Sequence, residues 1–177
     1  QQIRWPGRSE SSKRGMAVKK TVVDVSEVKF SRDAQETLLA PSLGSCIAVS
    51  AYDQSRHAGG VVIFMLPNAQ ELAFSAGDAH PYMFADTAIP NFVRAAERFG
   101  LDKAAMTFGV VGGGQMMGQA GRSDVGGRNS DMAHRLLSAL GIRPGLVDVG
   151  GRRNRTLTLR IADGEIEVDV AGQSLER

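Results

Sequence analysis

The chain has 177 residues, 42% hydrophobic and 23% charged, an ordinary composition for one globular domain with a core of useful size. No apolar run approaches the ~18 residues of a membrane-spanning helix, and Gln1 to Gly15 has no apolar centre, so neither a span nor a secretory leader is expected. The lone cysteine, Cys46, excludes an internal disulfide and suits a reducing cytoplasm. Together with the scattered His57, His80 and His134 it has no zinc-ligand spacing, so neither a metal nor a cofactor is expected. The net charge of +2 is uneven: residues 1–20 hold Arg4, Arg8, Lys13, Arg14, Lys19 and Lys20 against Glu10, which leaves the remainder at −3. The basic balance therefore belongs to a tail, expected to be a flexible, solvated extension rather than a nucleic-acid surface, with a single domain over 21–177.

In chain order, Thr21 to Phe30 alternates apolar and polar residues and predicts one strand. Ser31 to Glu36 is turn-like, Leu38 to Leu43 leads into the Gly44-Ser45-Cys46 turn, and Ile47 to Tyr52 predicts a buried strand. Asp53 to His57 is a hairpin turn, and the unbroken apolar run Gly59 to Leu66 predicts a fully buried strand closed by Pro67. A long loop over Asn68 to Met83 follows. Phe84 to Phe99 has helical spacing, with Ile89, Phe92, Val93, Ala96 and Phe99 on one side and Gly100 as the stop.

Ala104 to Val111 predicts a strand that runs into Gly112-Gly113-Gly114, and Val125 to Asn129 reads as a second Gly-rich loop. Asn129 to Leu140 predicts a helix and Leu146 to Val149 a short strand before Gly150-Gly151. Arg155 to Ala162 and Glu165 to Val170 flank Asp163-Gly164, a strong hairpin signal. The mixture is α+β.

Cys46 admits two readings from its surroundings. A small apolar thiol is most often an inert core residue. The Gly44-Ser45 pair before it, however, permits close backbone approach and could present N–H groups to a developing oxyanion. Gly112-Gly113-Gly114 fits neither of the phosphate-loop spacings, so it reads as backbone passing close to another element. Convergence of the 112–114, 126–127 and 150–151 glycines on one site is left open by spacing alone. Glu71, Asp78 and Asp86 lack partners at acid/base spacing, and no histidine sits on a catalytic elbow.

Six segments carry a family resemblance. They are LGSCIAV (43–49), GGVVIFMLP (59–67), YMFADTAI (82–89), GGGQMM (112–117), VGGRN (125–129) and DVGGRRNRT (148–156). In order and spacing they resemble the chemoreceptor glutamine deamidases (CheD) of bacterial and archaeal chemotaxis, over about residues 22 to 172. The resemblance implies a layered αββα sandwich similar to the catalytic domain of cytotoxic necrotizing factor toxins. It implies hydrolysis of receptor glutamine side chains to glutamate and ammonia, in which a Cys thiolate forms a thioester that water resolves. A His acts as base and acid and a Thr orients it, by the logic of a catalytic triad. Cys46 falls on the nucleophile position, with Gly44, Ser45, Gly112, Gly113 and Gly114 as the substrate or oxyanion region. The implied partners are chemoreceptor cytoplasmic helices and a CheC-type phosphatase, for a cytoplasmic monomer.

Two departures set this chain apart. The family's His position is Ile63, and the Thr position, six residues before the nucleophile, is Ala40. Neither side chain can move or orient a proton. Thr37 is nine residues from Cys46, and in an extended segment the odd spacing turns it to the opposite face. The sequence thus predicts a deamidase-like protein with impaired catalysis that acts by binding. The alternative is an active deamidase whose base is relocated to His57 or His80.

Overall fold

Strands β4 (Ile47–Asp53) and β5 (Ala58–Phe64) are buried at every position. They form the middle of the molecule, which is why neither alternates apolar with polar residues. The structure is a computed structural model and describes residues 18–69, 80–115 and 124–170. One sheet has the order β2–β5–β4–β6–β7, with β2 (Val28–Ser31), β6 (Met106–Gly112) and β7 (Leu146–Val149) around the central pair. The other has the order β1–β3–β8–β9, from β1 (Lys19–Val22), β3 (Glu36–Leu43), β8 (Arg155–Arg160) and β9 (Ile166–Val170). Helices α1 (Ala85–Phe99) and α2 (Val125–Ala139) complete an α+β layered sandwich, the class that the sequence implied; of the αββα order expected from the resemblance, the described residues supply one helical layer and two sheets.

The central strands serve two cores. Ile47, Val49 and Ala51 of β4 and Val62 and Phe64 of β5 face the helices, where they meet Ile89 and Phe92 of α1 and Leu137 of α2. Ala48 and Tyr52 of β4 and Val61 and Ile63 of β5 face the second sheet, against Leu38, Ala40, Leu157 and Leu159. Both helices pack on the same sheet, and among the described residues the outer face of the β1–β3–β8–β9 sheet carries no helix. Strand β8 alternates buried and half-buried residues, as a strand with one covered face must.

Helix α1 lies where the spacing predicted it. Gly100 ends it in the left-handed conformation, φ 98°, with its N–H returned to the Ala96 and Glu97 carbonyls. Phe30 of β2 stacks on Phe92 and Phe99 at 5.3 and 5.4 Å between ring centroids. Its cross-strand partner is Gly60, where a Cβ would lie 2.2 Å from the Phe30 ring. The Gly59-Gly60 pair in an otherwise aliphatic strand thus makes room for an aromatic ring.

Three sequence expectations need correction. Residues 21–30 are not one strand: β1 pairs with β3 and β2 with β5, in different sheets. Between them the Asp24 N–H donates to the Glu27 carboxylate and the Glu27 N–H to the Asp24 carbonyl, both at 3.1 Å, while Ser26 takes a positive φ of 64°. These local bonds compete with the ladder and turn the chain. Second, β1 begins at Lys19, so Lys19 and Lys20 belong to a sheet rather than to the tail. Third, Val125 to Asn129 is the first turn of α2, because the Asp124 carboxylate caps the Gly127 N–H at 2.8 Å. Most of the expected 68–83 loop lies outside the described residues.

Candidate functional site

Cys46 sits between β3 and β4, in a turn whose three carbonyls are all hydrogen-bonded. The Gly114 N–H donates to the Gly44 carbonyl at 2.7 Å, and the Gly113 N–H to the Cys46 carbonyl at 2.9 Å. The Asn129 side-chain amide donates to the Ser45 carbonyl at 2.8 Å. The 150–151 glycines join the same cluster: the Gly150 N–H donates to the Gly112 carbonyl at 2.9 Å, and the Gln115 N–H to the Gly151 carbonyl at 2.7 Å. Gly126 completes it, since a Cβ there would stand 2.5 Å from the carbonyl oxygens of both Gly113 and Gly114. The three Gly-rich segments, whose convergence spacing left open, do meet around the Cys46 turn.

These bonds change what Gly113 and Gly114 can do. Their N–H groups, expected to be available to an oxyanion, are spent holding the turn. They act as scaffold.

Cys46, Ile63 and Ala40 share one core. Ile63 (1% exposed) and Ala40 (fully buried) belong to the core between the sheets, and the half-buried Cys46 packs against that core. A β-bulge between Ala40 and Leu43 restores the inward direction, so both residues point into the core although they are three apart. Thr37, in contrast, lines the outer face of its sheet beside Lys20 and Leu39, opposite its neighbours Leu38 and Ala40; the bulge breaks the parity counted from Cys46, so its direction follows from the regular part of β3. Burial pushes the Cys46 thiol above its ordinary value, the direction that disfavours thiolate.

The structure separates His57 from this turn. His57 is exposed at the far end of β4 with φ 47°. At ~3.3 Å per residue, the seven residues of β4 put it roughly 20 Å from Cys46. His80 is exposed beside Tyr82, with ring centroids 6.1 Å apart, and its carbonyl accepts from the Met83 N–H at 2.9 Å. Asp86 lies in the first turn of α1, while Glu71 and Asp78 fall outside the described residues.

Sequence reasoning missed two residues that build the site. Asn129 is fully buried and ties α2 to the Cys46 turn. Arg155 forms an ion pair with Asp148 at 3.0 Å and donates to the Gly150 carbonyl at 2.8 Å, which staples the 150–154 loop across its base. The available signal was the symmetry of DVGGRRNRT, an acid and a base on either side of a Gly-Gly turn. Arg152 and Arg153 on that loop are exposed. Among the described residues no three His, Cys, Asp or Glu side chains are grouped to hold a metal ion, and no helix is long and apolar enough to cross a membrane.

Comparison with known proteins places this architecture. The family model described as CheD chemotactic sensory transduction matches residues 65–170. A protein of Syntrophus aciditrophicus (strain SB), named probable chemoreceptor glutamine deamidase CheD 1, is 32% identical over 154 residues, which cover 87% of this chain and 96% of that protein. A probable chemoreceptor glutamine deamidase CheD of Solibacter usitatus (strain Ellin6076) is 32% identical over 155 residues, 88% of this chain and 91% of that one. An archaeal protein of the same name, from Methanococcus maripaludis (strain DSM 14266), is 32% identical over 154 residues, 86% of this chain and 94% of that one. With a family-model match over more than half its length and relatives aligned across nearly their whole chains, this protein belongs to the CheD family of chemotaxis proteins.

Proposed function

We propose that this CheD-family protein has lost most or all glutamine deamidation and acts by binding, with chemoreceptor cytoplasmic helices as its principal partner and a CheC-type phosphatase as a second. One observation carries the reading: the inter-sheet core that holds Ile63 and Ala40 also receives Cys46, so the positions that would serve the thiol are occupied by hydrocarbon. An ordinary free thiol is only a few per cent thiolate at neutral pH, and burial lowers that fraction further for Cys46. The departing ammonia also needs a proton, which neither Ile63 nor Ala40 can give. In a serine protease the loss of the triad His alone costs on the order of 10⁶ in turnover. A cytoplasmic location and a monomeric state complete the proposal.

The test has two arms. A purified receptor cytoplasmic fragment should bind this protein in a pull-down, while releasing no ammonia in its presence. Absence of binding both to receptor fragments and to a CheC-type phosphatase would overturn the proposal.

A second reading, an active deamidase with a relocated base, draws support from the fully hydrogen-bonded Cys46 turn. His57 is too far away to serve, which leaves His80. This reading requires ammonia release that both Cys46→Ala and His80→Ala abolish.

A further inference from the structure

Asn129 lies one turn into α2 and is fully buried. Its side-chain amide donates twice, to the Ser45 carbonyl at 2.8 Å and to the Met65 carbonyl at 2.9 Å. The last rung of the β4–β5 ladder at this end pairs Ile47 with Phe64. Ser45 and Met65 therefore stand on the two chain segments that leave the ladder, and Asn129 bridges them just beyond its end. Both recipients are carbonyls and can only accept, so the amide has one workable orientation.

That orientation leaves the Asn129 Oδ1 atom buried with no hydrogen-bond partner. A buried unpaired acceptor is costly, and that cost is set against the two carbonyls that the same amide satisfies. The residue gains its value from the geometry that its two donors impose. Gly126, three residues earlier, lets α2 approach the Gly113 and Gly114 carbonyls, and the N–H groups of those glycines hold Cys46 and Gly44. Helix α2 is thus seated on the cysteine turn directly through Asn129 and indirectly through Gly126.

We propose that Asn129 is a positioning residue that fixes the Cys46 turn against the end of β5 and so keeps the thiol half-buried. This deepens the proposed function, because it rests on the Cys46 turn being the working centre of the protein. Its consequence is conformational. Without the bridge the turn opens more often, and the thiol meets water and reagents more often.

Cys46 is the only cysteine, so its alkylation by iodoacetamide reads the turn without ambiguity. The full chain is alkylated across a pH series as parent, Asn129→Ala, Asn129→Ser and Ser138→Ala. Ser138 is the control: it is exposed near the far end of the same helix. Among the described residues, the charged groups on the segments around the turn include Asp124, Arg128, Asp148, Arg152, Arg153 and Arg155, and all stay unchanged in the variants.

Both Asn129 variants should alkylate faster at pH 8 by about tenfold, the effect on local opening of losing ordinary hydrogen bonds. Their pH midpoint should also fall toward that of a solvated thiol. Ser138→Ala should match the parent in rate and midpoint, whatever its melting temperature. Parent-like alkylation in the Asn129 variants, with only the melting temperature lowered, would overturn the proposal. Should Asn129→Ala not fold, the milder Asn129→Ser carries the test. No receptor is present, so a failure of the binding proposal leaves this result standing, and the reverse also holds.

Discussion

The N–H of Gly113 donates to the carbonyl of Cys46 at 2.9 Å, so the loop after β6 grips the residue just before β4. The neighbouring Gly112 shows how close this approach is. It has φ 121°, and a Cβ built on it would stand 2.2 Å from the Cys46 oxygen. Here a glycine is required on two counts, conformation and space.

Gly112→Ala should therefore destabilise the protein by roughly 2–4 kcal/mol, since strain and a backbone clash act together. Denaturant melts would measure the loss, and the cluster bonds predict that Cys46 becomes more accessible in parallel. A near-neutral Gly112→Ala would mean that the loop moves away at little cost and that the grip is weak.

Restoring a base to the centre is the direct test of impaired catalysis. The Ile63→His, Ala40→Thr double variant should release ammonia from a receptor cytoplasmic fragment, and a further Cys46→Ala change should abolish it. General acid–base catalysis contributes typically 10²–10⁴-fold, which sets the expected gain over the parent. The cost is folding stability. Ile63 is buried among aliphatic side chains, and an imidazole there loses roughly 1–3 kcal/mol unless it is hydrogen-bonded. Ammonia release by the parent at the rate of the double variant would rule out the disabled centre.

The Cys46 thiol should titrate above the ordinary thiol range, because burial opposes its charged form. Alkylation of the parent at pH 7 should be slower than that of a small free thiol and should still be rising above pH 9. The stability linkage has a definite sign. The unfolded thiol ionises first as pH rises, so the folded state is progressively disfavoured from the unfolded value up to the raised folded one. Cys46→Ser should remove that alkaline component from the stability profile.

Asp53, at the opposite end of β4, predicts the acid limb. Burial of its carboxylate acts upward, but hydrogen bonds from the Ser55 hydroxyl, the Asp102 and Ser55 N–H groups and Arg56 outweigh it and hold it at about 2. A depressed carboxylate stabilises the fold above its unfolded value near 4, and that contribution fades as pH falls toward 2. Asp53→Asn should cost roughly 1.5–3 kcal/mol at neutral pH, the worth of hydrogen bonds to a charged group, and should converge with the parent near pH 2. Urea melts at pH 7 and pH 3 would show the difference narrowing. An equal difference at both would exclude the linkage.

Local pattern was legible in the residues themselves. The unbroken run before Pro67 is the doubly covered β5, Gly100 stops α1, and Asp163-Gly164 turns β8 into β9. These depend on propensity, periodicity and turn chemistry within a few residues. The expectation that Ile63 and Ala40 stand at the family's His and Thr positions was legible as well, because residue identity at a given spacing needs no coordinates.

Tertiary structure decided what lies far apart in the chain. Period-two alternation over 21–30 did not reveal that its halves join different sheets, since β1 and β2 have similar local patterns and only their partners differ. The meeting of residues 44–46, 112–115, 126–129 and 150–151 depends on β3, β4, β6 and α2 ending at the same edge. Asn129 read as the junction of a Gly-rich loop and a helix, with no role of its own until its partners, 84 and 64 positions away, were in place. Sequence alone thus determined most of the elements and the family. Only long-range packing could show that Cys46, Ile63 and Ala40 share one core, because hydrophobic burial is non-directional and leaves the choice of neighbours to the assembled sheets.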